Sequence, residues 1–305
     1  MRTQHTTFES MVRVGDLLLA KAGKEQVSDP SEFDDRTGYD ASFLKGWEMP
    51  LPMPPATTVR QIRYGKDAGK AVLNYEHFSV VMSAERRLPI ITAVNIDGKQ
   101  AVRNVARETS WYFDGRLDKS DQWGDALYDN NNLDRGHMVR RDDPVWGTKA
   151  AALLANKDTF HFTNSSPQMA AVNQQTWLGL EDYILHNAEV QGMLVTVFTG
   201  PIFTDKDVKY RDALVPLAFW KVVAIVTASG RKSATAYTIS QEKELKTLEF
   251  EYGVYQTYQV SVQQVGKETG IDFSGLEVYD GFTDYEQKHG EKMVVKLTKL
   301  SEMKI

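Results

Sequence analysis

The sequence predicts an α+β fold, in which strands and helices follow one another without a regular alternation. Three segments are apolar enough, or alternate regularly enough, to be strands: residues 193–200, 217–227 and 233–240. Residues 171–188 instead carry apolar side chains at helical spacing. Because no strand–helix–strand unit repeats along the chain, the pattern favours α+β over a parallel α/β sheet.

The first 58 residues differ in composition from the rest and are expected to form a helix followed by an arm. Residues 6–23 have the apolar spacing of a short amphipathic helix. Residues 28–58 are rich in turn formers and include four prolines from Pro50 to Pro55, which disfavour helix and central strand. The arm also carries large apolar side chains, so we expect it to pack across the main domain's surface: Phe33, Tyr39, Phe43, Leu44 and Trp47.

The main domain is expected to span residues 59–305. Residues 74–98 predict two strands joined by a polar turn at residues 85–87. Thr148 to Ala155 predict a helix, and residues 159–164 a short strand after it. Residues 261–270 predict a further short helix, with Ser261 as its N-cap and Gly270 at its end.

Composition and charge are those of an ordinary globular protein, with 42% hydrophobic and 25% charged residues. No apolar run approaches the roughly 20 residues of a transmembrane helix, and no signal-peptide pattern is seen, so we expect a cytoplasmic protein. The lack of cysteine excludes disulfides, thiolate metal sites and cysteine nucleophiles. At a net charge of −5, nucleic acid would have to be bound by a local basic cluster, because an acidic surface repels phosphates.

A polar stretch around one of the six histidines is the first candidate site: "NNNLDRGHMVRRDDPVWG", residues 130–147. His137 follows Gly136, whose missing side chain lets a backbone or a substrate approach closely. Histidine suits the deprotonation of water because its ordinary pKa lies near neutrality. Three arginines near it are candidate phosphate ligands: Arg135, Arg140 and Arg141. On these residues alone, a structural loop histidine beside a solvated arginine cluster is an equally good interpretation.

A second segment, "FTNSSPQMAAVNQQTWLGLEDY" at residues 162–183, supplies candidate metal ligands. Asn173 and Glu181 are eight residues apart, and two helical turns cover about 7.2 residues, so both side chains point to nearly the same side of the predicted helix. Amide and carboxylate oxygens are ligands that Mg²⁺ accepts, often only one or two of them. Asn173 is equally suited to cap the start of that helix.

Together the two segments resemble the DNA/RNA non-specific endonuclease family, which includes mitochondrial endonuclease G and secreted bacterial nucleases. The resemblance rests on four motifs in the family's order: Asp134-Arg135-Gly136-His137, residues 163–183, "VFTGPIF" at residues 197–203 and "YQVSVQQVGKETGIDF" at residues 258–273. It implies a ββα-metal (His-Me finger) fold with a central antiparallel sheet flanked by helices. It also implies an endonuclease that cuts DNA, and RNA as well, with little sequence preference.

The resemblance implies a role for each matching residue. His137 would be the general base, Asn173 the direct ligand of one Mg²⁺ (with Mn²⁺ as an alternative), and Glu181 would hold a metal-bound water. Arg116, in "FDGRLD", matches an arginine that stabilises the phosphate in the transition state, within a segment of variable length. The remaining site residues receive these roles: Arg135 on the phosphate or in the framework of the site, Asp134, Gly136, Asn164 and Gln168 in support, and Arg140 and Arg141 on the substrate.

Several alternatives stay open on the sequence. Arg140 and Arg141 would hold the loop instead if they paired with Asp142 and Asp143. The chain would also fit an effector nuclease that a partner or ligand activates through the arm, or a nucleic-acid-binding module of the same fold without hydrolysis. Besides DNA and RNA, a homodimer and an inhibitor or activating partner are left open, and no membrane is expected. Four aromatic residues are candidates for base stacking or for anchoring loops: Trp111, Tyr112, Phe113 and Trp123.

Overall fold

The computed structural model describes residues 26–170, 177–227, 229–242, 245 and 257–297. In these ranges the chain forms the strands β1 (Gln26–Ser28), β2 (Val72–Tyr75), β3 (Phe78–Met82), β4 (Pro89–Asp97), β5 (Tyr112–Asp114), β6 (Leu133–His137), β7 (Ser165–Met169), β8 (Leu194–Ile202), β9 (Val208–Tyr210), β10 (Ala213–Val215), β11 (Ala218–Val226), β12 (Lys232–Ser240), β13 (Thr257–Val260) and β14 (Val295–Leu297). The α-helices of the same ranges are α1 (Asp125–Tyr128), α2 (Lys149–Asp158), α3 (Trp177–Gln191), α4 (Val262–Thr269), α5 (Ser274–Glu277) and α6 (Gly281–His289). Within this part of the chain, no helix has the length and apolar content needed to cross a bilayer.

Eight of these strands form one sheet, in the order β14-β13-β12-β11-β8-β4-β3-β2. Every neighbouring pair is antiparallel. The predicted α+β class and central antiparallel sheet are therefore confirmed. β8, β11 and β12 cover the three segments predicted as strands, and β3 and β4 flank the predicted polar turn. β2, which pairs with β3 at the edge of the sheet, was not predicted from the sequence.

Alternation along β11 builds a separate hydrophobic core on each face of the sheet. Phe219 and Val223 belong to one cluster of buried side chains, whereas Trp220 and Val222 belong to the other. Successive side chains of a strand point to opposite faces, so the two clusters lie on the two sides of the sheet. The first cluster also includes side chains of β6, β7 and α3, and we call this side the site face. The second includes side chains of α4.

The arm is packed into both cores, more deeply than a segment that only crosses the surface. Phe33 lies in the core of the site face, and Leu44 and Trp47 lie in the opposite core. β1 pairs with β5 as a parallel strand. Ser28, at the end of β1, forms a buried 2.8 Å hydrogen bond with the Nε2 of His161. The arm therefore contributes apolar area and polar contacts to the same body as the main sheet.

Local sequence patterns predicted the ends of two helices correctly and one strand incorrectly. Thr148 caps the start of α2 with its side chain, and α4 runs between Ser261 and Gly270, as predicted. The strand predicted over residues 159–164 is wrong, because Phe162–Asn164 form a 3₁₀ turn and the strand comes after it as β7. Side-chain hydroxyl and amide groups in this segment bond to nearby backbone carbonyls, which favours a turn over an extended strand.

Two predicted helices reach beyond the described ranges. The helix over residues 6–23 lies entirely outside them. The helix over residues 171–188 is described from Trp177 onward, as α3. The boundary between arm and main domain at residue 58 stays a prediction.

Candidate active site

The site is built on a two-stranded ribbon that lies apart from the main sheet. β6, which holds the Asp-Arg-Gly-His motif, pairs with β7 in antiparallel register. The register places Gly136 opposite Ser166 and His137 opposite Ser165. Two of the motifs found in the sequence are therefore brought side by side by backbone pairing.

Gly136 allows the side chain of Gln168 on β7 to lie directly against the backbone of β6. A Cβ at this position would overlap the side-chain amide of Gln168, which is fully buried. Gln168 occupies the room that a larger residue would take, so its amide lies directly against the strand that ends in His137. The glycine of the motif is thus required by close approach and not by its backbone angles.

The imidazole of His137 packs against two aromatic rings. Its centroid is 4.8 Å from that of Trp111 and 4.9 Å from that of Phe160, which meets it edge-on. The residue as a whole is partly exposed. Its Nε2 is nevertheless buried and has no hydrogen-bond partner among the described residues. The ring is held by packing, and one nitrogen is left without a partner.

The surroundings of His137 keep its imidazole neutral. The pKa of His137 is lowered to about 3, mainly by burial and also by the positive charges of Arg107 and Arg141. At neutral pH the ring therefore carries no charge. A neutral imidazole is the form that accepts a proton.

Arg107, which was not a candidate from the sequence, lies close enough to this histidine to lower its pKa. Its guanidinium lies 5.2 Å from the ring centroid of Phe160. Among the described residues, no carboxylate comes within 4.0 Å of it, and burial and the nearby Arg141 lower its pKa. Its one sequence signal is its place four residues before Trp111. Arg107 is thus an exposed cation near His137 without a close carboxylate in the described part of the chain.

Arg116, by contrast, is not placed where a substrate could reach it. Its side chain is 3% exposed and its guanidinium forms a 2.7 Å ion pair with Asp114. It also donates to the backbone oxygen of Asn74 at 2.8 Å and lies 3.8 Å from the ring centroid of Phe33. The expected phosphate contact does not fit this placement, because the charge of Arg116 is already neutralised inside the core.

Arg135 turns away from the ribbon toward α1. It forms an ion pair with Asp125, lies 3.7 Å from a carboxylate oxygen of Asp129, and sits over the ring of Tyr128. Of the two roles considered for Arg135, this placement favours the framework of the site.

Arg140 and Arg141 both lie beside the acidic residues that follow them. Arg141 forms a 2.5 Å ion pair with Asp142, and Arg140 lies 3.9 Å from the same carboxylate. Arg141 also donates to the backbone oxygen of Val105. These contacts favour the loop-holding alternative, although Arg141 remains close enough to act on the charge of His137.

Asp134 lies before His137 on β6, and Asn164 bonds to the chain just after it. The buried Asn164 accepts a 2.9 Å bond from the backbone N–H of Val139 and donates to its oxygen at 3.0 Å. It thereby ties the chain just after His137 to the start of β7. Asp134 is partly buried on β6, where its charge partly offsets the lowered pKa of Arg107.

Glu181 lies on α3 over the sheet, 9% exposed, and faces a lysine of β11. The Nζ of Lys221 is 3.2 Å from its Oε1. A second carboxylate, that of Asp143, is close enough to Glu181 for the two charges to interact. The pKa of Asp143 is raised to about 7, mainly by burial; the charge of Arg140 lowers this pKa and that of Glu181 raises it. Asn173, the expected direct metal ligand, lies outside the described residues.

The donor chemistry of the site fits a hard, mostly hydrated cation. Several buried polar atoms of the ribbon have no hydrogen-bond partner among the described residues: Nε2 of His137, Oγ of Ser166 and both amide atoms of Gln168. Such atoms are normally satisfied by water or ions. In the described ranges no three His, Asp or Glu side chains converge on one point. The side-chain oxygens of Ser166 and Gln168 are hard donors of the kind that Mg²⁺ accepts, and Mg²⁺ commonly keeps most of its waters.

The sequence pattern of the DNA/RNA non-specific endonucleases matches residues 56–277. The chain belongs to this family. The match spans the ribbon, α3 and most of the main sheet, which are the elements that position His137 and Glu181. A chain from the crystal structure of the EndoG/EndoGI complex, which concerns EndoG inhibition, superposes with a TM-score of 0.55 at 18% identity. It covers 70% of this chain and 89% of its own length, so the two share the ββα-metal fold.

Relatives with curated names span a range of identities. Protein y4fB of Sinorhizobium fredii is 38% identical over 262 residues, which are 79% of this chain and 39% of that protein. Mitochondrial endonuclease G of Bos taurus is 28% identical over 160 residues, 48% of this chain and 50% of that protein. The human endonuclease G is 32% identical over 126 residues, 37% of this chain and 40% of that protein. The chain thus spans half or less of the length of these relatives.

Proposed function

We propose that this family member is a metal-dependent endonuclease that hydrolyses phosphodiester bonds of DNA and RNA with little sequence preference. The observation that carries the proposal is the pairing of a neutral, aromatic-flanked His137 with a nearby Arg107 that has no close carboxylate among the described residues. A base for water and a cation for phosphate are the two groups that phosphodiester hydrolysis asks of a protein.

His137 takes the role of general base. Its lowered pKa keeps the imidazole in the proton-accepting form at neutral pH. Trp111 and Phe160 restrict the ring, so that its free nitrogen keeps one direction. A water placed at that nitrogen would lose its proton as it attacks phosphorus.

Arg107 takes the phosphate-binding role that the resemblance had given to Arg116. A guanidinium offers a planar fork of donors that matches two phosphate oxygens. Arg107 is exposed, so its guanidinium is accessible to a phosphate of the substrate. Arg141 adds positive charge on the same side of His137.

Asn173 as a direct ligand, and Glu181 through a water, would hold the metal ion. When bound, Mg²⁺ or Mn²⁺ would polarise the phosphate and neutralise charge on the leaving 3′ oxygen, which leaves a 5′-phosphate on the product. Gln168 and Asn164 support this arrangement by fixing β7 against β6.

Partners and location beyond the nucleic acid stay predictions. The EndoG/EndoGI complex concerns inhibition of EndoG, and an inhibitor of this chain is proposed by analogy. A homodimer, an activating partner acting through the arm and a cytoplasmic location rest on the sequence reasoning alone.

Conversion of supercoiled plasmid to nicked and linear forms tests the proposal. The samples are the full chain with Mg²⁺, with Mn²⁺ and with EDTA, and the variants His137→Ala and Asn173→Ala with Mg²⁺. His289→Ala is the matched control, because His289 is an exposed histidine bonded to the backbone of Tyr285 on α6. We expect metal-dependent cutting by the wild type and the control, and none by the other two variants. Cutting by His137→Ala at the wild-type rate would refute the assigned base, and no cutting by the wild type with either metal would refute the nuclease.

A further inference from the structure

A lysine in the middle of β11 is buried where the pattern of the strand calls for an apolar residue. Lys221 is 1% exposed and points to the site face, between Phe219 and Val223 of the same face. Taking an ammonium group out of water is costly unless it is paired and hydrogen-bonded. Packing alone therefore does not explain why a lysine occupies the centre of the sheet.

Contacts of the ammonium with Thr199 and Glu181 connect two elements. Thr199 of β8 is the direct register partner of Lys221, and its hydroxyl accepts a 2.9 Å hydrogen bond from Nζ. On the other side, Nζ lies 3.2 Å from Oε1 of Glu181 on α3. The lysine thus connects the rigid centre of the sheet to the one carboxylate of α3 that is proposed to act at the metal.

A purely structural role explains this arrangement poorly. A buried ion pair is often no more stabilising than apolar residues of the same volume, whereas removal of one partner is strongly destabilising. The neighbours of Lys221 on the same face of β11, Phe219 and Val223, are apolar, so the strand itself supplies no partner for the charge. Groups that hydrogen-bond to metal-binding side chains and orient them, in contrast, commonly change the metal affinity when they are removed.

We propose that Lys221 is a positioning residue for Glu181, which fixes the carboxylate over the sheet so that it faces the metal site. The inference rests on the proposed function. Lys221 itself does not meet the substrate, because it is covered by α3 and by the neighbouring strands. Its loss should therefore weaken metal binding and lower kcat, while the KM for DNA stays within about twofold.

The test compares variants of the full chain in two measurements. Isothermal titration with Mn²⁺ alone, without nucleic acid, gives the metal affinity, and plasmid cleavage at saturating Mn²⁺ gives kcat and KM. Lys221→Met keeps the length of the side chain and removes its charge, and we expect about a 10- to 100-fold weaker Mn²⁺ affinity. Lys221→Arg retains a cation and should recover part of the loss. Thr199→Val removes only the bond that orients the ammonium, and should weaken Mn²⁺ binding by a few-fold.

Arg86→Met is the control for the loss of a partly buried, ion-paired cation. Arg86 forms a 2.9 Å ion pair with the buried Asp207 and donates to the backbone oxygen of Thr204. Its replacement should lower the midpoint of thermal unfolding and leave Mn²⁺ affinity unchanged. A fall in Mn²⁺ affinity of the same size as for Lys221→Met would show that any buried-charge loss has this effect, and would overturn the inference.

Other outcomes also decide the question. Wild-type Mn²⁺ affinity and kcat in Lys221→Met would overturn it. If Lys221→Met does not fold, Thr199→Val with unchanged affinity overturns it, and a weakened affinity supports it. A wild type that binds Mn²⁺ but cuts no plasmid refutes the proposed nuclease while the Mn²⁺ comparison still decides the role of Lys221.

Discussion

The indole of Trp111 lies 4.8 Å from the imidazole of His137, measured between ring centroids. Trp111 stands just before β5, which is also the strand that pairs with β1 of the arm. Burial is the largest cause of the lowered pKa of His137. The position of Trp111 before β5 therefore affects the charge state of His137, the proposed base.

Trp111→Ala should raise the pKa of His137 from about 3 toward its ordinary value, because it lets water reach the ring. The pKa is measured by NMR titration of the histidine ring signals in the full chain without metal or DNA. Trp146→Ala is the control, since Trp146 stacks on His77 with 3.5 Å between ring centroids. It should change the signals of His77 only. An unchanged His137 pKa in Trp111→Ala would show that the tryptophan does not cause the burial.

Arg107→Met and Arg116→Met should separate catalysis from stability. The first removes a cation near His137 and should lower kcat/KM by about 100-fold with little change in unfolding. The second leaves Asp114 buried without its partner and should cost about 3–5 kcal/mol of stability. Steady-state cleavage and urea unfolding of both variants are measured together. A large loss of stability in Arg107→Met with wild-type kcat/KM would reverse the assignment.

Side-chain pairing explains why these two arginines could not be told apart in the sequence. Both lie in polar surroundings of the same segment, and nothing local says which guanidinium meets a carboxylate. The fold decides it, because Asp114 lies two residues before Arg116 and turns with it into the core beside Phe33. Arg107 precedes the strand and stays at the site.

Backbone pairing explains what sequence patterns could and could not predict of the fold. The apolar runs of β8 and β11 predict strands because they are short and rich in β-branched and aromatic residues. β7 was not predicted, since Pro167 and Gln168 have low strand propensity, and it forms because β6 pairs with it. The pattern located His137 and Glu181, but the contact of Glu181 with Lys221 depends on how α3 lies over the sheet.

Asp143→Asn should change how stability depends on pH. The pKa of Asp143 in the folded protein is raised to about 7, mainly by burial, so the folded state holds this proton more tightly than the unfolded chain. Stability is then lost as pH rises from about 4 to about 7. The variant should be more stable than the wild type at pH 8, by about 1–4 kcal/mol, and equal to it near pH 4.

Urea unfolding at pH 4, 6 and 8 measures this difference. The exposed Asp284, which pairs with Lys288 on α6, supplies the control Asp284→Asn. The control should show no gain at pH 8. A stabilisation of Asp143→Asn that does not vary between pH 4 and pH 8 would rule out the titration of Asp143 as its cause.

Gly136→Ala should disrupt the ribbon through a single contact, the overlap of the new methyl group with the amide of Gln168. Gln168 is fully buried, so its side chain has no open space to move into. We expect a loss of about 1–3 kcal/mol of stability, as for other overpacked sites. We also expect a lower kcat, because the strand shifts directly before His137.

The double variant Gly136→Ala/Gln168→Ala isolates that contact. Alanine at residue 168 removes the amide that the new methyl group would meet, so the cost of Gly136→Ala should largely disappear in this background. Stability, and not activity, is the informative measurement, since Gln168→Ala has its own effect on the site. The free energies of unfolding of the wild type, both single variants and the double variant give the coupling between the two positions. If Gly136→Ala costs the same with and without Gln168, the glycine is required for a reason other than this close approach.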